Sequence, residues 1–208
     1  MTEPRGARRR RAGLLIVVLV LAVGTASTGG PAAADANESP SASAAFRSIS
    51  GGFRHTCGLA NNGTVRCWGA NHAGQLGQGT TTAWGDTAGE LGGQVPPIDL
   101  GTGRTATAIT SGDDHSCALL DDATVKCWGA NTSGQLGQTT TGPNGDAPGE
   151  MGDDLPPISL GTGRTALSIA AGAVHTCALL DDFTVKCWGN NGFGQLGIGD
   201  AIDRGVDG

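Results

Sequence analysis

The stretch HSCALLDDATVKCWGANTSGQLG, from His115 to Gly137, occurs three times in this chain at a strict spacing of 60 residues. The first copy starts at His55 (HTCGLANNGTVRCWGANHAGQLG) and the third at His175 (HTCALLDDFTVKCWGNNGFGQLG). Cys57, Cys117 and Cys177 therefore keep register, and so do Cys67, Cys127 and Cys187. A repeat of this length means one supersecondary unit stacked on copies of itself, because chance similarity in a Gly-rich chain does not hold six cysteines in phase.

Each copy reads as a β-hairpin. His115, Cys117 and Leu119 alternate with Ser116, Ala118 and Leu120, and a second short run, Thr124 to Gly129, follows a polar turn. That turn is Asn61-Asn62-Gly63, Asp121-Asp122-Ala123 or Asp181-Asp182-Phe183. Asn and Asp suit it because they bond their own backbone and tolerate left-handed dihedrals. A turn centred at position 122 sets residue 117 across from 127, within reach of a cross-strand disulfide. The same arithmetic pairs Cys57 with Cys67 and Cys177 with Cys187. Each such bridge would contribute about 2 to 3 kcal/mol. The rival reading is zinc on His115, Cys117 and Cys127, which lacks a fourth ligand and a close Cys-x2-Cys pair.

Residues 1–34 carry the features of an export signal: Arg5 and Arg8 to Arg11 ahead of an apolar run, Leu14 to Val23, then Ala32-Ala33-Ala34. The run is short of the roughly 20 residues that span a bilayer, so cleavage after Ala34 is expected rather than a retained anchor. The expected location is secreted or cell envelope, with no stable membrane insertion after cleavage. An even cysteine count in that oxidising setting favours disulfides over metal. Residues 35–45 have the composition of a flexible linker. Repeats then divide as 46–100, 101–160 and an incomplete 161–208. Ile49, Ile109 and Ile169 mark a short strand before each hairpin, and Gly-Gln-Leu-Gly a tight reversal after it, with Leu76, Leu136 and Leu196 turned to the core. Pro-Pro-Ile-Asp-Leu at 96–100 and Pro-Pro-Ile-Ser-Leu at 156–160 suit an edge strand.

Four short strands per repeat make a propeller blade, and no helical period runs over ten residues outside the leader. The fold class is all-β, three blades of an incomplete, open propeller. The succession Gly-x-x-His-(Thr/Ser), Val-x-x-Trp-Gly and Asn-x-x-Gly-Gln-Leu-Gly resembles the repeat of the regulator of chromosome condensation family over residues 46–199. The resemblance implies a β-propeller that normally closes with seven blades. Three blades leave open edges, so either further blades are missing or copies self-associate.

Charge narrows the partners. Removing the leader takes away five arginines and Glu3, leaving 8 basic and 18 acidic residues, a balance of −10. Such a surface repels nucleic acid, which argues against the chromatin-binding role that the resemblance implies. Nucleotide exchange on a small GTPase, also implied, does not suit an exported chain. Histidines and Trp68, Trp128 and Trp188 recur once per repeat, as packing residues do, whereas catalysis needs one asymmetric site. Asp121-Asp122 and Asp181-Asp182 are turn residues, and Gly101-Thr102-Gly103-Arg104-Thr105-Ala106 precedes a β-like run where a dinucleotide fingerprint needs a helix. No enzyme activity is expected. No cofactor is expected either, with one loop open to calcium: Asp146, Glu150, Asp153 and Asp154 stand close together, while the first copy keeps Asp86 and Glu90 but has Gly93 and Gln94 for the later pair.

Repeat proteins hold the frame constant and vary the rim. The positions that vary here are Phe53, Arg54, Asp113, Asp114, Ala173 and Val174 before each histidine, and His72, Ala73, Thr132, Ser133, Gly192 and Phe193 before Gly-Gln-Leu-Gly. Trp84, outside the repeated set, is either a contact residue or a cover for its own loop. These residues point to a non-enzymatic module binding an unknown protein or cell-surface ligand. The alternative is an inhibitor of a secreted enzyme, since similar bacterial propellers include β-lactamase inhibitors.

Overall fold

The computed structural model describes residues 45–90, 94–139 and 142–205, so the expected signal and all but Ala45 of the expected linker lie outside the described residues. Among the described residues nine strands form three antiparallel sheets. The first holds β1 (Phe46–Gly51), β2 (His55–Ala60) and β3 (Val65–Gly69). The second holds β4 (Ala106–Ser111), β5 (His115–Leu120) and β6 (Val125–Gly129), and the third β7 (Ala166–Ala171), β8 (His175–Leu180) and β9 (Val185–Gly189). The only helix among the described residues is a 3-10 turn at Gly152–Asp154.

The hairpin register follows the turn. Cys57 pairs with Cys67, Cys117 with Cys127 and Cys177 with Cys187, with Cα atoms 4.1, 4.0 and 4.0 Å apart and the sulfurs bonded. No described cysteine is free, so no thiolate is left to ligate zinc. In the turn, the left-handed residue is the third one, Gly63, Ala123 or Phe183 (φ 81, 63 and 65°), not the Asn or Asp. Those acids act through their side chains: Asp122 Oδ1 accepts the amide and the hydroxyl of Thr124 at 3.1 and 2.6 Å. The Thr184 hydroxyl and amide hold the Asp182 carboxyl below the usual carboxylate range in the same way.

Three strands form in each blade, one fewer than expected. The Pro-Pro-Ile segments lie against the outer strand through one backbone bond each, Ile98 N to Val65 O at 2.9 Å and Ile158 N to Val125 O at 2.8 Å. Prolines 96, 97, 156 and 157 have no N–H to extend the ladder. The side chains still pack, with Ile98, Leu100, Ile158 and Leu160 all buried.

The core lies between blades, not within them. Cys57, Leu59, Val65 and Cys67 of the first sheet cluster with Ala118, Leu120 and Trp128 of the second, and Cys117, Leu119, Val125 and Cys127 with Ala178, Leu180 and Trp188 of the third. Alternation along β2, β5 and β8 therefore has a direction. His, Cys and Leu face the following blade, and the intervening residues, together with the tryptophans, face the preceding one.

Candidate functional site

The repeated motif is spent on the junctions. His55 Nε2 lies 2.9 Å from the Ser116 hydroxyl, and His115 Nε2 lies 2.9 Å from that of Thr176. Each hydroxyl donates to a main-chain carbonyl of the preceding blade, Ser116 to Gln75 at 3.1 Å and Thr176 to Gln135 at 3.0 Å. The Trp128 and Trp188 indoles donate to the same two carbonyls at 3.1 and 3.0 Å. A hydroxyl has one proton, so a group already donating to a carbonyl must accept from Nε2–H. Burial presses the His55 pKa down, and burial followed by the neighbouring histidines lowers that of His115 to about 4, which keeps the His115 ring neutral near neutral pH.

Gly-Gln-Leu-Gly presents those carbonyls. Gly74 and Gly77 take φ of 76 and 64°, and the Asn71 side chain accepts the Leu76 amide at 2.9 Å while its own amide bonds Thr80 O and Thr82 O. Leu76, Leu136 and Leu196 are buried behind the turn. Sequence reading passed over Asn71 and Gln75 as organisers, although both recur in every copy.

Some of the varied positions meet across the blade junctions. Gln75 Nε2 donates to Asp114 Oδ1 at 3.1 Å and approaches His72 Nδ1 at 3.3 Å, while His72 Nε2 lies 3.4 Å from the same Asp114 oxygen. The loop before Gly-Gln-Leu-Gly in one blade thus meets the loop before His in the next. Phe53, Asp113 and Ala173 line an open cavity of about 300 Å³ beside Gly52, Gly112 and Gly172. Glycine is required there, since a Cβ on Gly52 would come within 2.5 Å of Gly112 O. Arg54 sits over the Phe53 ring at 5.2 Å, Val174 is half-buried, and Phe193 is 98 % exposed in the loop equivalent to that of His72. Trp84 stands apart: it pairs with Gly69 in an isolated bridge and packs against the first core cluster.

The acidic loop is occupied with itself. Glu150 accepts the amides of Gly145, Asp146 and Ala147 at 2.9 to 3.1 Å, and Asp153 accepts the amide and hydroxyl of Thr102 at 2.9 and 2.6 Å. Among the described residues, no three His, Cys, Asp or Glu side chains converge as a metal group. Arg104 contacts Asp121 and Asp122, and Arg164 contacts Asp181 and Asp182, so the paired acids are exposed turn contacts. The Gly101 and Gly161 turns lead into β4 and β7, not into helices.

Comparison with known proteins agrees with this geometry. The pattern described as "Regulator of chromosome condensation (RCC1) repeat" matches residues 62–119 and 123–179, and a second form of it matches 46–75, 106–135 and 167–195. The chain is 33% identical over 160 residues to the ultraviolet-B receptor UVR8 of Arabidopsis thaliana, covering 76% of this chain and 32% of that one. It is 31% identical over 153 residues to the regulator of chromosome condensation of Drosophila melanogaster, covering 71% and 25%. Among solved structures, yeast RCC1 (Prp20) bound to Kap60 superposes with a TM-score of 0.57 at 21% identity, over 77% of this chain and 36% of that one. Human WBSCR16 gives 0.57 at 19%, over 77% and 38%. The chain thus spans between a quarter and about two fifths of the length of these proteins. With three blades joined by the repeated His, Ser/Thr, Trp and Gly-Gln-Leu-Gly contacts, the chain belongs to the regulator of chromosome condensation repeat family.

Proposed function

We propose that this chain is an exported, non-enzymatic interaction module that holds a protein or cell-surface partner on the rim formed by Phe53, Arg54, His72, Asp113, Asp114, Val174 and Phe193. One observation carries the reading. The His72–Asp114 contact gathers two sets of variable loops from neighbouring blades onto one face, while the repeated polar groups are consumed in the junctions. Phe53 and Phe193, 68 and 98 % exposed, are aromatic anchors of the kind that dominate interfaces. The acidic balance of residues 35–208 favours a basic or neutral partner over nucleic acid. Prp20p of Saccharomyces cerevisiae, similar in fold, is described by its binding to Gsp1p and histones, both of them proteins, and a protein partner for this chain is in keeping with that.

The test is affinity capture from native envelope or medium with the wild type and with Phe53→Ser/Phe193→Ser. A specific partner lost in the double variant is expected, and equal recovery by both would refute the rim. If the captured partner is a secreted enzyme, inhibition assays decide whether binding blocks it.

A further inference from the structure

In the 300 Å³ cavity beside Gly52, Gly112 and Gly172, donors are used up and acceptors are left over. The amides of those three glycines donate to the carbonyls of His55, His115 and His175 at 2.8 to 2.9 Å. The amides of Phe53 and Asp113 donate across the junctions to Asp113 O and Ala173 O at 3.3 and 2.8 Å, and the Ser111 hydroxyl donates to Ser50 O at 3.5 Å. By contrast, the carbonyls of Gly52, Gly112 and Gly172 accept no hydrogen bond among the described residues. The Asp113 carboxylate has no hydrogen-bond or ion-pair partner among them either, whereas Asp114 beside it is engaged by Gln75 and His72.

Such a wall selects by charge. A carboxylate and free carbonyls can only accept, so they suit a group that only donates, and ammonium and guanidinium are the charged groups of that kind. The Phe53 ring lines the same cavity, and the face of an aromatic ring attracts a cation. Arg54 makes such a contact within the chain, its guanidinium lying 5.2 Å from the Phe53 ring centroid, yet Arg54 is not part of the cavity wall. An anion would be repelled by Asp113. The volume stands at the lower end of the roughly 300 to 1,000 Å³ typical of ligand pockets, so it admits one side chain or a small amine. Residues of all three blades build the wall, which is therefore independent of whatever flanks them.

We propose that this cavity takes a lysine or arginine side chain of a protein partner, with Asp113 as its counter-ion and Phe53 as its platform. The assignment rests on the rim reading above, since Phe53 and Asp113 are two of the loop positions that vary between copies. It adds the partner's chemistry: a basic side chain at the contact, in keeping with the acidic balance of residues 35–208.

Amide NMR of the labelled 208-residue chain tests this with N-acetyl-lysinamide and N-acetyl-argininamide as probes, N-acetyl-norleucinamide as the uncharged match and spermidine as a free amine. The two basic probes should shift the amides of Gly52, Gly112, Asp113 and Gly172 saturably, with dissociation constants of about millimolar, and norleucinamide should not. Asp113→Asn removes only the charge of an unpartnered side chain and should weaken binding at least about fivefold. Arg54→Gln removes a like charge from the same ring and should tighten binding at least about twofold. No saturable shift at those residues, equal shifts by norleucinamide, an Asp113→Asn chain that binds like wild type, or an Arg54→Gln chain that binds more weakly would each overturn the proposal. Spermidine binding where neither side-chain probe binds would overturn it too, by assigning the cavity to a free amine. Failure of the probes while Phe53→Ser/Phe193→Ser still loses a captured partner would remove the cation site and leave the rim standing.

Discussion

Mild acid should loosen the blade junctions, and His115 sets the size of the effect. Its ring is wholly buried, its Nε2 is bonded to the Thr176 hydroxyl, and its Nδ1 has no partner. Protonation would place a charge among the second core's residues with no anion beside it. The folded-state pKa of about 4 lies below the unfolded value of 6.5. Between those values the unfolded chain takes up a proton that the folded chain refuses, so stability is full above pH 6.5 and falls as pH drops toward 4. The loss is about 2 kcal/mol by about pH 5 and about 3 kcal/mol once both states are protonated. His55 acts in the same direction, with Asp114 partly opposing its depression. Asp146, raised by burial and by the Glu150 carboxylate, works the other way in the acid range. The lowered aspartates Asp122, Asp153, Asp182, Asp200 and Asp203 lose their contribution only below the histidine window. Denaturant titration by tryptophan fluorescence between about pH 7.5 and 5 measures the effect, with His115→Gln as the non-titrating reference. The stability of wild type relative to this variant should fall by about 2 kcal/mol across the range. A difference that stays constant with pH would refute the reasoning.

Other expectations concern single contacts. Ala123→Gly should stabilise by about 0.5 to 1 kcal/mol, because a Cβ at φ 63° is strained, and an unchanged or lowered melting temperature would count against the turn geometry. Trp128→Phe keeps most of the packing but removes one of two donors to the Gln75 carbonyl, so a loss of about 1 to 2 kcal/mol is expected in the same denaturation assay. Calorimetric titration with calcium at about millimolar concentration should give no heat, since Glu150 and Asp153 already serve loop amides. A saturable isotherm would show that the loop reorganises around the ion.

The hairpins and their bridges were legible because a strand alternates strictly and a short turn fixes register: once position 122 is the centre, Cys117 can only face Cys127. Alternation also sorted His115, Cys117 and Leu119 onto one face, but a period of two says nothing about which neighbour that face meets. The fourth strand expected from Pro96 and Pro97 does not form, since prolines at the head of an edge-like run supply no ladder donors. The left-handed turn position is hard to read in sequence because Ala123 and Phe183 carry no signal of it; only Gly63 in the first copy points to the third residue. Of the rim, the loops were visible as variation between copies. Their meeting was not, because Gln75 and Asp114 are 39 residues apart and belong to different blades. Trp84 stood out by composition, yet its place against the core depends on a single bridge to Gly69.

The central claim is that a neutral histidine of one blade donates through Nε2 to a hydroxyl of the next, which passes its own proton to a Gln carbonyl. Ring-nitrogen NMR of the labelled protein near neutral pH reads this directly. His55 and His115 should each show a protonated Nε2 in slow exchange and a bare Nδ1, and in Thr176→Val the His115 Nε2 proton should lose its protection. A proton on Nδ1, or a His115 ring indifferent to Thr176→Val, would contradict the account.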